Sequence, residues 1–320
     1  MRILNTNLHG LRRWCLVGVV ALLSIGAVPS ISVAAGRDSS ASVSIHETTD
    51  LADAFRAAEV ARVAEKDARV LLILDIDNTL LTMPQYLGGD RWFNHHADLV
   101  AAKIDPDFLD MGKLIAMQVA LFSFASMEAT EPEIPAMLAE ARRQGIDTFL
   151  LSARGPELYD ATRRELDRNG LRVEGLNACA THPCMQDGTY SDDDIRSGLA
   201  AVGEEPSQSP YHDILIRNGV MLVAGQDKGV MLKLLMGAIG GRQYAHVVVA
   251  DDGRKNIDAL AVSGNIVPLT LFHYRRINAS VTDAEDQVAR AQLRTLTAVV
   301  CSALQSAICR RPMPGIEARK

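Results

Sequence analysis

Two stretches, far apart in the chain, drive an apolar run straight into paired acids. One is RVLLILDID, residues 69–77, and the other is HVVVADDG, residues 246–253. In each the apolar residues follow one another without alternation. That is the pattern of a strand buried on both faces of a parallel sheet. Carboxylates at the end of such a strand cost several kcal/mol to bury unless something compensates them. Asp75 with Asp77, and Asp251 with Asp252, therefore require a metal ion, a basic side chain or solvent at a turn.

The segments between and around these runs alternate strand and helix patterns from residue 70 to about 273. EIPAMLAEARRQG places Ile134, Met137, Leu138 and Ala141 at helical spacing, and DTFLLS reads as a strand. Pro156 opens a helix that Gly170 closes, Asn218-Gly219 marks a hairpin, and Lys228 opens KGVMLKLLMGAIG. Asp192-Asp193-Asp194 lacks metal-ligand spacing and fits a helix N-terminus. The pattern implies an α/β fold, Rossmann-like, with an open and mostly parallel sheet flanked by helices. Ligands bind such sheets beyond the carboxyl ends of the strands, where Asp75, Asp77, Ser152, Asp251 and Asp252 fall.

Residues 1–35 stand apart. Arg2, Arg12 and Arg13 precede CLVGVVALLSIGAV, and small residues up to Ala35 follow, in the order of a secretory signal peptide. The expected mature chain begins near Gly36, with a mobile, Ser-rich lead-in over 36–47 and one domain over 48–320. Export to the periplasm or medium follows, with no membrane attachment once the signal is removed. Cys179, Cys184, Cys301 and Cys309 then form an even set open to disulfide formation. A Cys301–Cys309 bridge requires a bend, because eight helical residues span about 12 Å. The net charge of −6, without a basic tract, gives no sign of nucleic-acid binding.

Two like charges as close as Asp75 and Asp77 repel, and hard oxygen ligands of this kind favour Mg2+. An Asx-type turn at Asp77, Asn78 and Thr79 is the competing reading of the first site alone. A second paired-acid strand end, with Asn256 placed to hold a carboxylate and Lys228 available as a partner, favours a metal and phosphate site.

In that order, Asp75-Ile76-Asp77-Asn78-Thr79, Ser152, Lys228 and Asp251-Asp252 with Asn256 resemble the four motifs of the haloacid dehalogenase-like hydrolase superfamily, over roughly residues 70–275. DIDNTLLT followed by LGGDRWF is similar to an exported bacterial subfamily, akin to secreted acid phosphatases of that superfamily. The resemblance implies a Mg2+-dependent phosphomonoester hydrolase acting on a small phosphorylated molecule through an aspartyl-phosphate. Asp75 would be the nucleophile and Asp77 the acid and base. Ser152, Lys228 and Asn78 would bind phosphate. The metal would sit on Asp75, the Asp77 carbonyl and Asp252, with Asp251 in support or the two exchanged. A non-catalytic binding protein that keeps this fold, or a phosphotransferase, is the alternative. The resemblance also implies a helical cap insertion, about 83–140, and a second, loop-rich insertion, about 177–212. At the cap entrance Trp92 or Phe93 would stack on a substrate. His95 and His96 lack an evident third metal ligand.

Overall fold

The computed structural model describes residues 42–64, 69–173, 186–206, 210–239, 244–262, 267–278 and 280–304. The expected signal segment, Cys179, Cys184 and Cys309 lie outside them, so the expected disulfides fall there too, apart from Cys301 in the last helix.

Among the described residues the sheet has eight strands: β1 (Val43–Thr48), β2 (Arg69–Leu74), β5 (Asp147–Ser152), β6 (Gly188–Tyr190), β7 (Ile214–Arg217), β8 (Val220–Leu222), β9 (Tyr244–Asp251) and β10 (Leu269–Tyr274). A separate antiparallel pair joins β3 (Leu81–Thr82) to β4 (Glu128–Ala129). The sheet order is β1-β10-β9-β2-β5-β8-β7-β6. The six strands from β1 to β8 run parallel, and β7 and β6 follow as antiparallel neighbours. The fold is therefore the expected α/β architecture.

Strand β2 lies at the centre, and its unbroken apolar run serves both faces. Val70, Leu72 and Leu74 enter one core with Leu51, Phe55, Leu138 and Leu166. Leu71 and Ile73, pointing the other way, enter a second core with Ile195, Leu199, Leu232 and Leu235. The first layer is built from α1 (Ala52–Ala64), α4 (Ile134–Arg143) and α5 (Tyr159–Arg168), and the second from α6 (Asp192–Ala201), α7 (Lys228–Ala238) and α8 (Arg254–Val262). The β7–β8 hairpin turns at Asn218 (φ 49°) and Gly219 (φ 76°), the left-handed pair that a two-residue loop requires.

Three expectations are corrected. The lead-in over 36–47 is not mobile throughout, because 43–48 forms edge strand β1, paired along its length with β10. The helical insertion ends earlier than residue 140: α2 (Asp90–Ala101) and α3 (Met111–Phe124) form it, whereas α4 packs on the sheet. The loop-rich insertion over 177–212 holds more regular structure than expected, since it contains strand β6 as well as helix α6, with Ile195 and Leu199 buried. The acidic run does open α6, where Ser191 and Asp194 exchange hydrogen bonds as a capping box.

The cap has its own small core of Trp92, Phe108, Leu114 and Leu121, completed by Ala289 and Leu293 from α9 (Asp283–Leu304). Charged contacts reinforce this seam: Arg91 meets Glu285 at 3.1 Å, and Arg290 pairs with Asp107 and Asp286. Trp92 is wholly buried there, against the rings of His96 and Phe108. It has no surface to stack on a substrate, which corrects the role expected for it, and Phe93 packs partly buried against the same cluster. Truncating a core tryptophan typically costs about 3–5 kcal/mol. Trp92→Ala is therefore expected to destabilise the protein by about that amount in denaturant unfolding, and an effect below about 1 kcal/mol would contradict the packing described.

Candidate active site and metal centre

The site is assembled by three neighbouring parallel strands. Leu74 lies beside Ala250 and beside Leu150, so the residues that follow β2, β9 and β5 emerge together at one sheet edge. The Asp75 amide still donates to the Ala250 carbonyl at 3.0 Å, which holds Asp75 in line with Asp251. Ser152 ends β5 on the opposite flank, fully buried.

Lys228 sits at the start of α7, whose N-cap is Asp227. Its side chain is 1% exposed, and its ammonium reaches Asp75 Oδ1 at 2.8 Å and Asp251 Oδ2 at 2.6 Å. Burial works against the lysine's charge, but Asp251 and Asp75 outweigh it and raise the ammonium above the ordinary lysine range. Asp251 Oδ1 accepts from the Gly253 amide at 2.8 Å and from Asn256 Nδ2 at 2.9 Å, as the spacing of Asn256 suggested. A Cβ at residue 253 would stand 2.8 Å from that amide nitrogen and 3.1 Å from the carboxylate, so glycine lets the turn close.

Asp75, Asp251 and Asp252 each offer a carboxylate oxygen, all within 4.8 Å of one another. Both Asp251 oxygens are engaged by protein donors, whereas the half-buried Asp252 carboxylate has no hydrogen-bond partner among the described residues. Burial, then the charges of Asp75, Asp90 and Asp251, push Asp252 up to about 9. Burial also lifts Asp75 to about 7, with Lys228 opposing and Asp251 and Asp77 adding. One lysine leaves negative charge uncompensated among three close carboxylates. An all-oxygen group of this kind fits a hard divalent cation.

Asp77, two residues beyond Asp75, faces a different partner. Arg154 Nε donates to its Oδ2 at 2.8 Å and Arg154 Nη2 to its Oδ1 at 2.9 Å, a two-point clamp. Asn78, in the left-handed region at φ 54°, turns the chain so that its amide donates to Leu81 O at 2.7 Å. Its carboxamide accepts from Thr82 Oγ1 and donates to Asp90 Oδ2 at 3.2 Å. Asn78 is thus a strut between this turn and the cap. The Ser152 hydroxyl oxygen accepts from the Arg154 amide at 3.3 Å.

Two residues of this constellation were not singled out in the sequence. Arg154 follows Ser152 by two positions, and a basic residue after a strand carries no distinctive spacing. Asp90 opens α2, and Asn94 as well as Asn78 donates to its Oδ2. Burial and the charge of Asp77 raise Asp90 to about 7, with Lys228 and Arg154 opposing. The GlyGlyAsp step at 88–90 was the available signal, since a helix start beside a glycine turn is where a cap would present a polar group. His95 and His96 belong elsewhere: His96 Nδ1 lies 2.6 Å from Asp105 and its Nε2 3.4 Å from Asp286 of α9. The acidic triplet is the metal-competent group found among the described residues.

No curated protein matches the chain. A family model described as "Protein of unknown function (DUF2608)" matches residues 55–304, spanning the central sheet apart from β1, the cap and the whole of α9. The chain belongs to the DUF2608 family.

Proposed function

We propose that this protein is an exported, Mg2+-dependent phosphomonoester hydrolase that acts on a small phosphorylated molecule through an aspartyl-phosphate at Asp75. The observation that carries the reading is the placement of Asp75 beside Asp251, Asp252 and a buried Lys228 at the carboxyl ends of adjacent parallel strands. The four-motif resemblance to haloacid dehalogenase-like hydrolases supports it.

In the proposed reaction an Asp75 carboxylate oxygen attacks phosphorus, and the bond to the leaving oxygen breaks. Asp77 gives that oxygen its proton, then takes one from the water that attacks the aspartyl-phosphate, returning Asp75 and releasing phosphate. Lys228 would offset charge on Asp75 and on the phosphoryl oxygens, and the Ser152 hydroxyl would donate to one of them. Asp75, Asp252 and the Asp77 carbonyl, with Asp251 behind them, would hold Mg2+, which supplies charge neutralisation and orientation of the phosphoryl group. The burial of Asp75 and Ser152 keeps bulk water from the attacking carboxylate.

Purified mature protein is expected to release inorganic phosphate from 4-nitrophenyl phosphate with Mg2+ and to lose that activity in EDTA. Asp75→Asn is expected to lower kcat by about 10⁴-fold or more, in the range seen when a nucleophile is removed. Equal turnover in this variant would contradict the assignment.

Metal binding should also depend on pH in a fixed direction. Asp75 and Asp252 are raised to about 7 and about 9, so both take up charge only as pH rises through those values. Mg2+ binds the ionised forms and displaces protons. The Mg2+-induced rise in Tm is therefore expected to be larger at pH 8.5 than at pH 5.5, and the reverse order would contradict this site.

A further inference from the structure

Resting on the reading above, we infer that Arg154 is the positioning residue for Asp77, and that it sets the carboxylate according to where the exit of the cap is seated. Its side chain is 3% exposed and is held on every side. Two of its nitrogens grip Asp77 at 2.8 and 2.9 Å. The third donates to Thr162 Oγ1 of α5 at 2.7 Å. Its guanidinium carbon stands 4.6 Å from the ring centre of Phe122, in the last turn of cap helix α3, and Nη2 lies 3.1 Å from the sulfur of Met127, just beyond that helix.

The same stretch of cap is tied to α5 by its backbone. Arg164 donates to the carbonyls of Phe122, Ser123 and Ala125 at 3.0, 2.7 and 2.9 Å, which caps the end of α3. Glu165 Oε2 accepts from the Met127 amide at 2.8 Å. The cap exit, α5 and Asp77 thus meet on one planar cation. A guanidinium held by a ring face and three side-chain partners cannot shift alone; movement of Phe122 or Met127 moves the two N–H groups that aim Asp77. Lysine offers neither the fork nor the flat face, so charge alone does not replace it.

The proposed reaction gives this residue a readout distinct from folding. With 4-nitrophenyl phosphate the leaving group needs little help from a proton, whereas hydrolysis of the aspartyl-phosphate still needs Asp77 to take a proton from water. Misaiming Asp77 should therefore slow the second half more than the first.

The test uses the mature protein with 4-nitrophenyl phosphate and Mg2+, following steady-state turnover and the acid-quenched level of covalent phospho-enzyme. Arg154→Gln is expected to lower kcat by about 10²-fold, the scale of a misplaced catalytic group, with KM little changed. Arg154→Lys should recover only part of that loss, and both variants should accumulate more phospho-enzyme than the wild type. Thr162→Val removes one anchor of Arg154 without touching Asp77 and decides the matter if the arginine variants do not fold. It should show the same pattern at smaller size. Wild-type kcat and phospho-enzyme level in folded Arg154→Gln, or failing that in Thr162→Val, with Asp75→Asn inactive, would overturn the inference and leave the phosphatase reading standing. No turnover by the wild type, or full turnover by Asp75→Asn, would overturn that reading and the inference with it.

Discussion

A buried ammonium between two buried carboxylates organises this molecule. Lys228 has almost no contact with solvent, and it lies within 3 Å of both Asp75 and Asp251. Taking such charges out of water costs several kcal/mol per ion, and mutual attraction compensates only with good geometry and satisfied hydrogen bonds. The sheet provides that geometry. Asp75 continues β2 and Asp251 ends β9, and the ladder between these strands fixes their spacing. The N-terminus of α7 delivers the lysine, while Gly253 and Asn256 occupy the oxygen of Asp251 that Lys228 leaves free. Even so, burial first, and then a deficit of positive charge among the neighbouring acids, raise Asp75 and Asp252 against the pull of Lys228. In the proposed account that deficit is what a metal ion and a phosphoryl group would exploit together.

Above this edge the cap is held at two ends. At its start, Asp90 joins Asn78, next to Asp77. At its exit, Phe122 and Met127 rest on Arg154, whose fork holds Asp77. On its outer flank α9 inserts Ala289 and Leu293 into the cap's core. The C-terminal helix is therefore part of the cap's packing although it lies about 160 residues further along the chain from α3. Asp77 stands where these constraints converge, which is why its setting is sensitive to the cap.

The central sheet was legible because unalternating apolar runs leave one arrangement for β2 and β9, and the helices between the strands left a clear 3.6-residue pattern. Asp75, Lys228, Asp251 and Asn256 were legible for a related reason: acids at the end of a buried strand require partners, and the structure supplies them. What escaped was set by contacts rather than by pattern. Strand β1 alternates poorly and is mostly exposed, so only pairing with β10 defines it. Trp92 looks the same in sequence whether it faces a cleft or a core, and the packing of α9 decides for the core. The bonds of the Asn78 carboxamide to Thr82 and Asp90 likewise come from the folded turn, not from its place after two acids. Arg154 and Asp90 act through residues 77 and 12 positions away respectively. No local spacing announces a partner at such separations.

The central claim is that Asp75 becomes phosphorylated. Rapid acid quench of the working protein, followed by borohydride reduction of the acyl-phosphate and peptide mass spectrometry, tests it most directly. The account predicts that the aspartate of LLILDIDNTLLT at position 75 is reduced to homoserine only in samples exposed to substrate. Continued phosphate release with that residue unmodified at every quench time, or the modification at Asp77, Asp251 or Asp252 instead, would contradict it.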